Sequence, residues 1–480
     1  MFVSRLVVRA APFALLTIAT LSPAADPRNK RDAAAAIDGR RAEMAALSNR
    51  IWAYAETALK ETQSAAALAA YAEKHGFRME LGVAGMPTAF VASFGEGRPV
   101  IGIIGEYDAL PGISQKAAPA KEALVEGGAG HGCGHNLFGT ASLAAAIAVK
   151  DLIAAGRLKG TVKFFGTPAE ESVSGKAYMI RDGVFRGVDA MLAWHPEDRT
   201  RADMQSSQAI VDFRVEFRGR TAHAAFDPWN GRSAADAVEA FTHGVNLLRE
   251  HVKPSVRLHY TVQRAGDVPN VVPEYGRVWA WVRDSTRTGV DQLLPRLREI
   301  AEGAAKIAGV EHSFTIQTGS WERMVLTEAG KILDANLHAL GPVQYTEEEQ
   351  KFARALQRAA GVPEKGMRLG ILPLEQQRPD PPGGSTDVGD VSWVVPTLHL
   401  CVATAPEDVP WHAWPVVASG GMSIGHKGMM LAAKTLALSM VDLLEDTALR
   451  DKLRSEFAAK TRGVVYKGYI PDGPPPVPRN

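Results

Sequence analysis

Five side chains suited to metal binding, Cys133, His135, Glu171, His195 and His412, are spread over four short motifs, and Glu170 adjoins one of them. The first motif, Gly130-His131-Gly132-Cys133-Gly134-His135-Asn136, interleaves a thiol and two imidazoles with glycines. Such a loop can fold so that Cys133 and His135 converge on one ion, and both are good ligands for zinc-like metals. A glycine loop with incidental His and Cys would look the same. In Thr167-Pro168-Ala169-Glu170-Glu171, adjacent carboxylates repel and cost solvation energy unless a cation or a shared proton compensates. Different duties follow for the pair, one ligating and the other moving protons, although a solvated acidic helix start gives the same pattern. His195-Pro196 ends an apolar run, where a lone histidine is more often structural. His412 sits in Trp411-His412-Ala413-Trp414, where stacking competes with ligation. Together the five supply N, S and O donors for two ions if one group bridges, and Glu170 remains as a base for metal-activated water. This is a two-metal hydrolase constellation.

Most of these motifs lie at or soon after the end of an expected buried strand, where open α/β sheets place their ligands. Helical spacing runs over 32–75 and stops at Gly76. Strands are expected at 89–94, 100–104, 161–166 and 190–194, with helices at 140–155 and 176–182. That alternation argues for a parallel sheet covered on both faces. From about Ser207 the pattern changes to a one-sided strand at 210–217, a helix at 234–251, strands at 255–263 and 277–283, a helix at 289–308 and a strand at 311–318. The order βαββαβ is that of a ferredoxin-like unit. After about Val325 the first pattern resumes, with an apolar strand at 394–402 and a closing helix at 424–444. The expected fold is α/β: a mixed, mostly parallel catalytic sheet from 26–206 and 325–470, interrupted by an inserted ferredoxin-like α+β dimerisation (lid) domain at 207–324. The Pro- and Gly-rich stretch 471–480 is expected to be disordered.

With 480 residues, 46% hydrophobic and 22% charged, the chain can bury one or two sizeable cores. Its 54 basic and 53 acidic residues leave a charge of +1 and no electrostatic footprint for nucleic acid or an anionic membrane. Two cysteines, Cys133 and Cys401, exclude a disulfide framework. Arg5 and Arg9 precede an apolar run at 10–21 and then Ser22-Pro23-Ala24-Ala25, which reads as a secretory signal cleaved after Ala24 or Ala25. The run is shorter than the ~20 residues that span a bilayer. A soluble protein, periplasmic or secreted and with no membrane attachment after cleavage, is expected.

The motifs Gly105-Glu106-Tyr107-Asp108-Ala109-Leu110-Pro111, Gly132-Cys133-Gly134-His135-Asn136, Pro168-Ala169-Glu170-Glu171, Trp194-His195-Pro196, Gly219-Arg220-Thr221-Ala222-His223-Ala224-Ala225 and Ser385-Thr386-Asp387-Val388-Gly389-Asp390-Val391-Ser392 occur in this order over about 32–460. In combination they resemble the co-catalytic metallo-aminoacylases and carboxypeptidases, which include glutamate carboxypeptidase, hippurate hydrolase and the plant auxin-conjugate amidohydrolases. The resemblance implies that Cys133 bridges or ligates, that His135, Glu171, His195 and His412 complete the metal shell, and that Glu170 is the general base. Asp108 would orient the metal site. His223 and Asn270, in the inserted domain, would reach the scissile carbonyl or the substrate's carboxylate, His223 acting across a homodimer interface.

Two departures stand out. Many relatives carry a metal-binding His two residues before the Asp matching Asp108; here Glu106 stands there, and His135 is expected to take its place. The auxin-conjugate branch has Asp where this chain has Asn136. His426 competes with His412 as the last ligand; His412 is preferred because it leaves the strand well before the closing helix, and His426 would then cap that helix or touch substrate. The implied cofactors are two divalent ions per chain, Zn2+ suiting the thiolate and imidazoles, with Mn2+ or Co2+ as alternatives. The implied reaction is cleavage of an N-acyl amino acid or an aminobenzoyl-glutamate-like small-molecule amide. A dipeptidase or carboxypeptidase of the same family is the nearest alternative. A non-catalytic periplasmic binding protein would be expected to have lost a ligand or the base. A cysteine hydrolase pairing Cys133 with His135 would leave Glu170, Glu171, His195 and His412 unexplained.

Overall fold

A computed structural model describes residues 26–374 and 383–478; the proposed signal at 1–25 and the last two residues lie outside that description. Helices α1 (Pro27–Gly39), α2 (Arg41–Tyr54) and α3 (Thr62–Lys74) fill the long helical stretch, broken by a left-handed Ala55. Strands β1 (Arg78–Leu81), β2 (Phe90–Glu96) and β3 (Val100–Gly105) follow, then α4 (His135–Ala154), β4 (Gly160–Gly166), the short α5 (Glu170–Val173) and α6 (Gly175–Arg181), β5 (Ala190–Glu197) and β6 (Arg201–Ala202). The inserted segment runs β7 (Ala209–Arg218), α7 (Ala234–Leu248), β8 (Arg257–Ala265), β9 (Tyr275–Asp284), α8 (Arg287–Ala308) and β10 (Glu311–Ser320). The chain then returns through α9 (Thr327–Leu340), α10 (Glu347–Ala360), α11 (Val388–Ser392), β11 (Thr397–Ala403), α12 (Trp414–Gly420), α13 (Ser423–Glu445) and α14 (Thr447–Lys460).

The larger sheet has the order β1-β2-β4-β3-β5-β11-β6. Its four central strands, β4, β3, β5 and β11, are parallel, while β1, β2 and β6 pair antiparallel at the edges. The parallel part is therefore narrower than the sequence pattern implied. Covered on both faces, the central strands are mostly apolar; Thr397–Ala403 is buried at every position, with Thr397 and His399 as its polar members. Helix α4 packs against β3, α1, α2 and α13. Among the described residues it alone is long and apolar enough to cross a bilayer, but most of it is buried inside the protein, so it is a core helix.

The smaller sheet has the order β10-β7-β9-β8, all antiparallel, with α7 and α8 on one face. This is the ferredoxin-like arrangement. Burial alternates strictly along β9, so Val278, Ala280 and Val282 face the helices while Trp279, Trp281 and Arg283 face the other way. A separate apolar core built from residues 209–316 supports this unit.

The described part of the tail expected to be disordered, 471–478, has no helix or strand and is mostly exposed, but it touches the catalytic domain at two points. Pro475 is buried, its ring lies 3.6 Å from where a Cβ on Gly85 would be, and Arg181 donates to the Gly473 carbonyl at 2.6 Å.

Candidate active site

All four parallel strands end at the same edge of the sheet, and each delivers part of one cluster. β3 leads into Glu106 and Asp108, β4 into Glu170 and Glu171, β5 carries His195, and β11 leads to His412. Cys133 and His135 arrive from the glycine loop that starts α4. Gly134 makes that approach possible: its φ is +76°, and a Cβ there would lie 2.9 Å from the Pro196 Cβ. Only a glycine lets the loop turn against β5 and place Cys133 beside His195. Ala169 and His412 also adopt left-handed backbone, at φ 62° and 54°. Such strain clusters at functional sites and persists only where surroundings enforce it. Glu61 is part of that enforcement, accepting the Ala169 N–H at 2.9 Å.

Cys133 Sγ lies 3.3 Å from His195 Nε2, and the other His195 nitrogen donates to the Pro196 carbonyl at 2.7 Å. Nε2 is thereby left with its lone pair towards the thiol. Asp108 holds two candidate ligands at once: one oxygen lies 3.0 Å from His135 Nδ1 and the other accepts the Glu171 N–H at 2.9 Å. This carboxylate–imidazole pairing fixes ring orientation and tautomer behind a metal. His412 Nε2 lies 3.5 Å from Glu171, and the His412 N–H donates to the Gly132 carbonyl at 3.1 Å. Donor atoms of Cys133, His135 and His195 all lie within 4.8 Å of one another, and so do those of Cys133, Glu171 and His412. Cys133 belongs to both trios, as a bridging ligand must. The residues fit a pair of divalent ions: His135 Nε2 and Glu171 Oε1 are buried with no hydrogen-bond partner among the described residues, and the set mixes one thiol, three imidazoles and a carboxylate.

Burial and the neighbouring His135 and His399 push His195 down to about 3, so its ring is neutral at any working pH. Burial and then Glu171 push the Cys133 thiol up; burial lifts Glu171 to about 7 against the pull of His135. Glu170 is raised well above the usual carboxyl range by burial and by Glu106 and Glu171. The cluster thus holds protons that a cation would displace. Glu170 and Glu171 line a cavity of about 1180 Å³ whose opposite wall is Asp212, Trp279, Trp281 and Arg283 of the inserted domain.

Not every expected residue reaches this place. His223 and Asn270 are neighbours of each other, since the Ala224 N–H donates to the Asn270 carbonyl at 3.0 Å, but both are on exposed loops outside the cavity. His223 Nδ1 accepts the N–H groups of Ala225 and Phe226. His426 lies in the first turn of α13 with its Nε2 2.9 Å from Asn49 Oδ1, and does not line the cavity. His412, not His426, is the histidine that stands with Cys133 and Glu171. His131 is a buried structural histidine against the Ile51 carbonyl, and Asn136 bonds Ser48 and the Gly420 carbonyl.

Asp203, His399 and Cys401 also gather within 4.8 Å. Arg201 and Arg323 already supply cations to Asp203 there, so the trio is a buried ion-pair network. Glu61, Lys176, Arg283 and the two tryptophans were missed as site residues. A lysine in Gly175-Lys176-Ala177-Tyr178-Met179-Ile180, otherwise apolar, was the one readable signal among them.

A mixed α/β sheet with carboxylate, imidazole and thiol donors at its parallel edge, beside an inserted ferredoxin-like domain, defines a metallohydrolase of the peptidase type. Residues 102–331 match the model of Peptidase family M20/M25/M40. The chain is 38% identical over 474 residues to one of the subunits of p-aminobenzoyl-glutamate hydrolase from Escherichia coli (strain K12), covering 92% of this chain and 98% of that one. It is 27% identical to the Xaa-Arg dipeptidase of Mus musculus, covering 90% and 92%. Among solved structures it is similar to the Bacillus subtilis YXEP protein, described as a dinuclear metal-binding peptidase of the M20 family, with TM-score 0.58, 18% identity, and 85% and 99% of the two chains covered. This chain belongs to Peptidase family M20/M25/M40 and is a metal-dependent amide hydrolase.

Proposed function

We propose that this protein hydrolyses the amide of an N-acyl amino acid, of the aminobenzoyl-glutamate type, at two divalent ions. Cys133, His135 and His195 would hold one ion, and Cys133, Glu171 and His412 the other. The ions, when bound, supply Lewis acidity to the amide carbonyl and to the attacking water. Glu170 takes the water's proton during attack and returns it to the leaving nitrogen. Asp108 keeps His135 and Glu171 aligned throughout. The observation that carries the reading is the pair of donor trios sharing Cys133, with Glu170 next to them at the cavity. Arg283 suits the free carboxylate of the amino-acid half: its guanidinium reaches the Ser385 hydroxyl at 3.3 Å and has no carboxylate partner among the described residues. Trp279 and Trp281 offer flat apolar surface to an aromatic acyl half.

Zinc suits a site with a thiol and three imidazoles, cobalt accepts a similar donor set, and manganese would find fewer oxygen donors than it favours. Export is supported by the Arg5/Arg9, apolar 10–21 and Ala24-Ala25 pattern. A homodimer is supported by β8, which is an unpaired sheet edge, and by apolar side chains exposed beside His223: Phe226 at 79%, Trp229 at 71% and Val268 at 52%. His223 then completes the neighbouring protomer's site. Assaying purified protein against N-acyl amino acids, dipeptides and p-aminobenzoyl-glutamate tests the substrate class: turnover of the last above the dipeptides is expected, and turnover of dipeptides alone would favour the dipeptidase alternative.

A further inference from the structure

We propose that Glu106 is an additional ligand for the ion held by His135, fixed in place by the buried ion pair Lys176–Asp387. The inference rests on the two-metal reading above. Glu106 Oε2 lies 3.2 Å from His135 Nε2, the nitrogen that Asp108 leaves free and that has no hydrogen-bond partner among the described residues. Donor atoms of Glu106, His135 and Glu170 all lie within 4.8 Å of one another. Both Glu106 and His135 are essentially without solvent, at 1% and 0% exposure.

The arrangement is short of cations. Lys176 Nζ lies 2.6 Å from Glu106 Oε1 and 2.5 Å from Asp387 Oδ1, and the Lys176 N–H donates to Asp387 Oδ2 at 2.9 Å. One ammonium therefore faces Glu106 and Asp387, with Glu170 close by. Buried carboxylates without a matching cation are costly, and a divalent ion at His135 supplies the missing charge. Lys176 does not block Glu106: it occupies one carboxylate oxygen and leaves the other aimed at the imidazole, the usual way a ligating carboxylate is held from behind. Glu106 follows directly from the end of β3, so its backbone is anchored in the sheet. The two ion positions are consequently unequal. The one at His135 has an extra anionic donor with its own counter-ion, while the one at Glu171 and His412 opens to the cavity. Lys176 and Asp387 act here as positioning residues.

The test is metal binding rather than turnover. Wild type and Glu106→Gln, both stripped with a chelator, are titrated with Zn2+ and with Co2+ by calorimetry and equilibrium dialysis, with far-ultraviolet circular dichroism as the check of folding. Wild type is expected to take two ions per chain. Glu106→Gln is expected to keep one at wild-type affinity and to lose at least tenfold in affinity for the other. If Glu106→Gln does not fold, Glu106→Asp, which keeps the charge but shortens the reach by one methylene, is expected to show the same selective loss. Two ions bound by either folded variant within threefold of wild type would overturn the assignment, and would mean that Glu106 serves only to hold the His135 ring. Wild type binding fewer than two ions would instead overturn the two-metal reading.

Discussion

Replacing Glu170 by glutamine preserves its size and hydrogen bonding but removes the ability to take a proton. Because a positioned base contributes about 10²- to 10⁴-fold, turnover of Glu170→Gln should fall by at least a hundredfold, roughly 3 kcal/mol of barrier, with metal content unchanged. Metal analysis beside steady-state kinetics checks this; more than a tenth of wild-type turnover would remove Glu170 from the role. Glu171→Gln should behave in the opposite way and lose an ion, because Glu171 shares a donor trio with Cys133 and His412. What the sequence made legible is the position of the pair: two adjacent carboxylates directly after an apolar strand, which the structure brings to the cavity beside Cys133. The Glu106–Lys176–Asp387 assembly was not legible as such, since Lys176 and Asp387 are 211 residues apart and only the folded chain brings them to 2.5 Å. The sequence favours His412 over His426 because it lies on the loop leaving the strand; in the structure His412 stands with Cys133 and Glu171, whereas His426 lies inside the first turn of α13 against Asn49.

The apolar runs located the central strands, since a strand covered on both faces reads as a near-continuous hydrophobic run, with exceptions such as His399 where a buried partner exists. Edges were harder: β1 is largely exposed and β6 is two residues long, so neither carries a distinctive pattern. The turn before α4 offers a test at this scale. Gly134→Ala forces a side chain into left-handed backbone, costing about 1–2 kcal/mol, and drives its Cβ against Pro196. Melting should show that loss of stability, and zinc titration a weaker site, because Cys133 and His135 flank the turn; unchanged zinc affinity would show that the turn does not set the ligands. The Asp203 network holds β6 to β11 and to the chain entering α9. Burial opposes the Asp203 charge, but Arg323, His399 and Arg201 outweigh it and hold its carboxyl well below the usual range. A group depressed in this way contributes stability that is present above its unfolded value, near 3.9, and lost as pH falls through the folded value. Asp203→Asn should therefore cost about 3–5 kcal/mol at neutral pH, with the difference from wild type shrinking in acid. Denaturant titrations at pH 7 and at pH 3 measure both; an equal cost at the two values would contradict the assignment.

At the scale of the whole molecule, the inserted domain presents one face to its own helices and turns Trp279, Trp281 and Arg283 towards the metal centre, leaving His223 on an exposed loop outside the cavity. If His223 completes the partner's site, mixing inactive His223→Ala with inactive Glu170→Gln should restore activity. A mixed dimer has one site with both wild-type groups and one with both defects, so up to about a quarter of full activity returns when half the dimers are mixed. No recovery after verified exchange of protomers would mean that His223 does not act across the interface. If hydrolysis depends on two ions gathered by Cys133, His135, His195, Glu171 and His412, stripping the purified enzyme with a chelator and restoring zinc in measured steps while following amide cleavage will show it. Activity is expected to vanish on stripping and to return fully at two equivalents per chain. Activity that survives exhaustive metal removal would contradict that dependence.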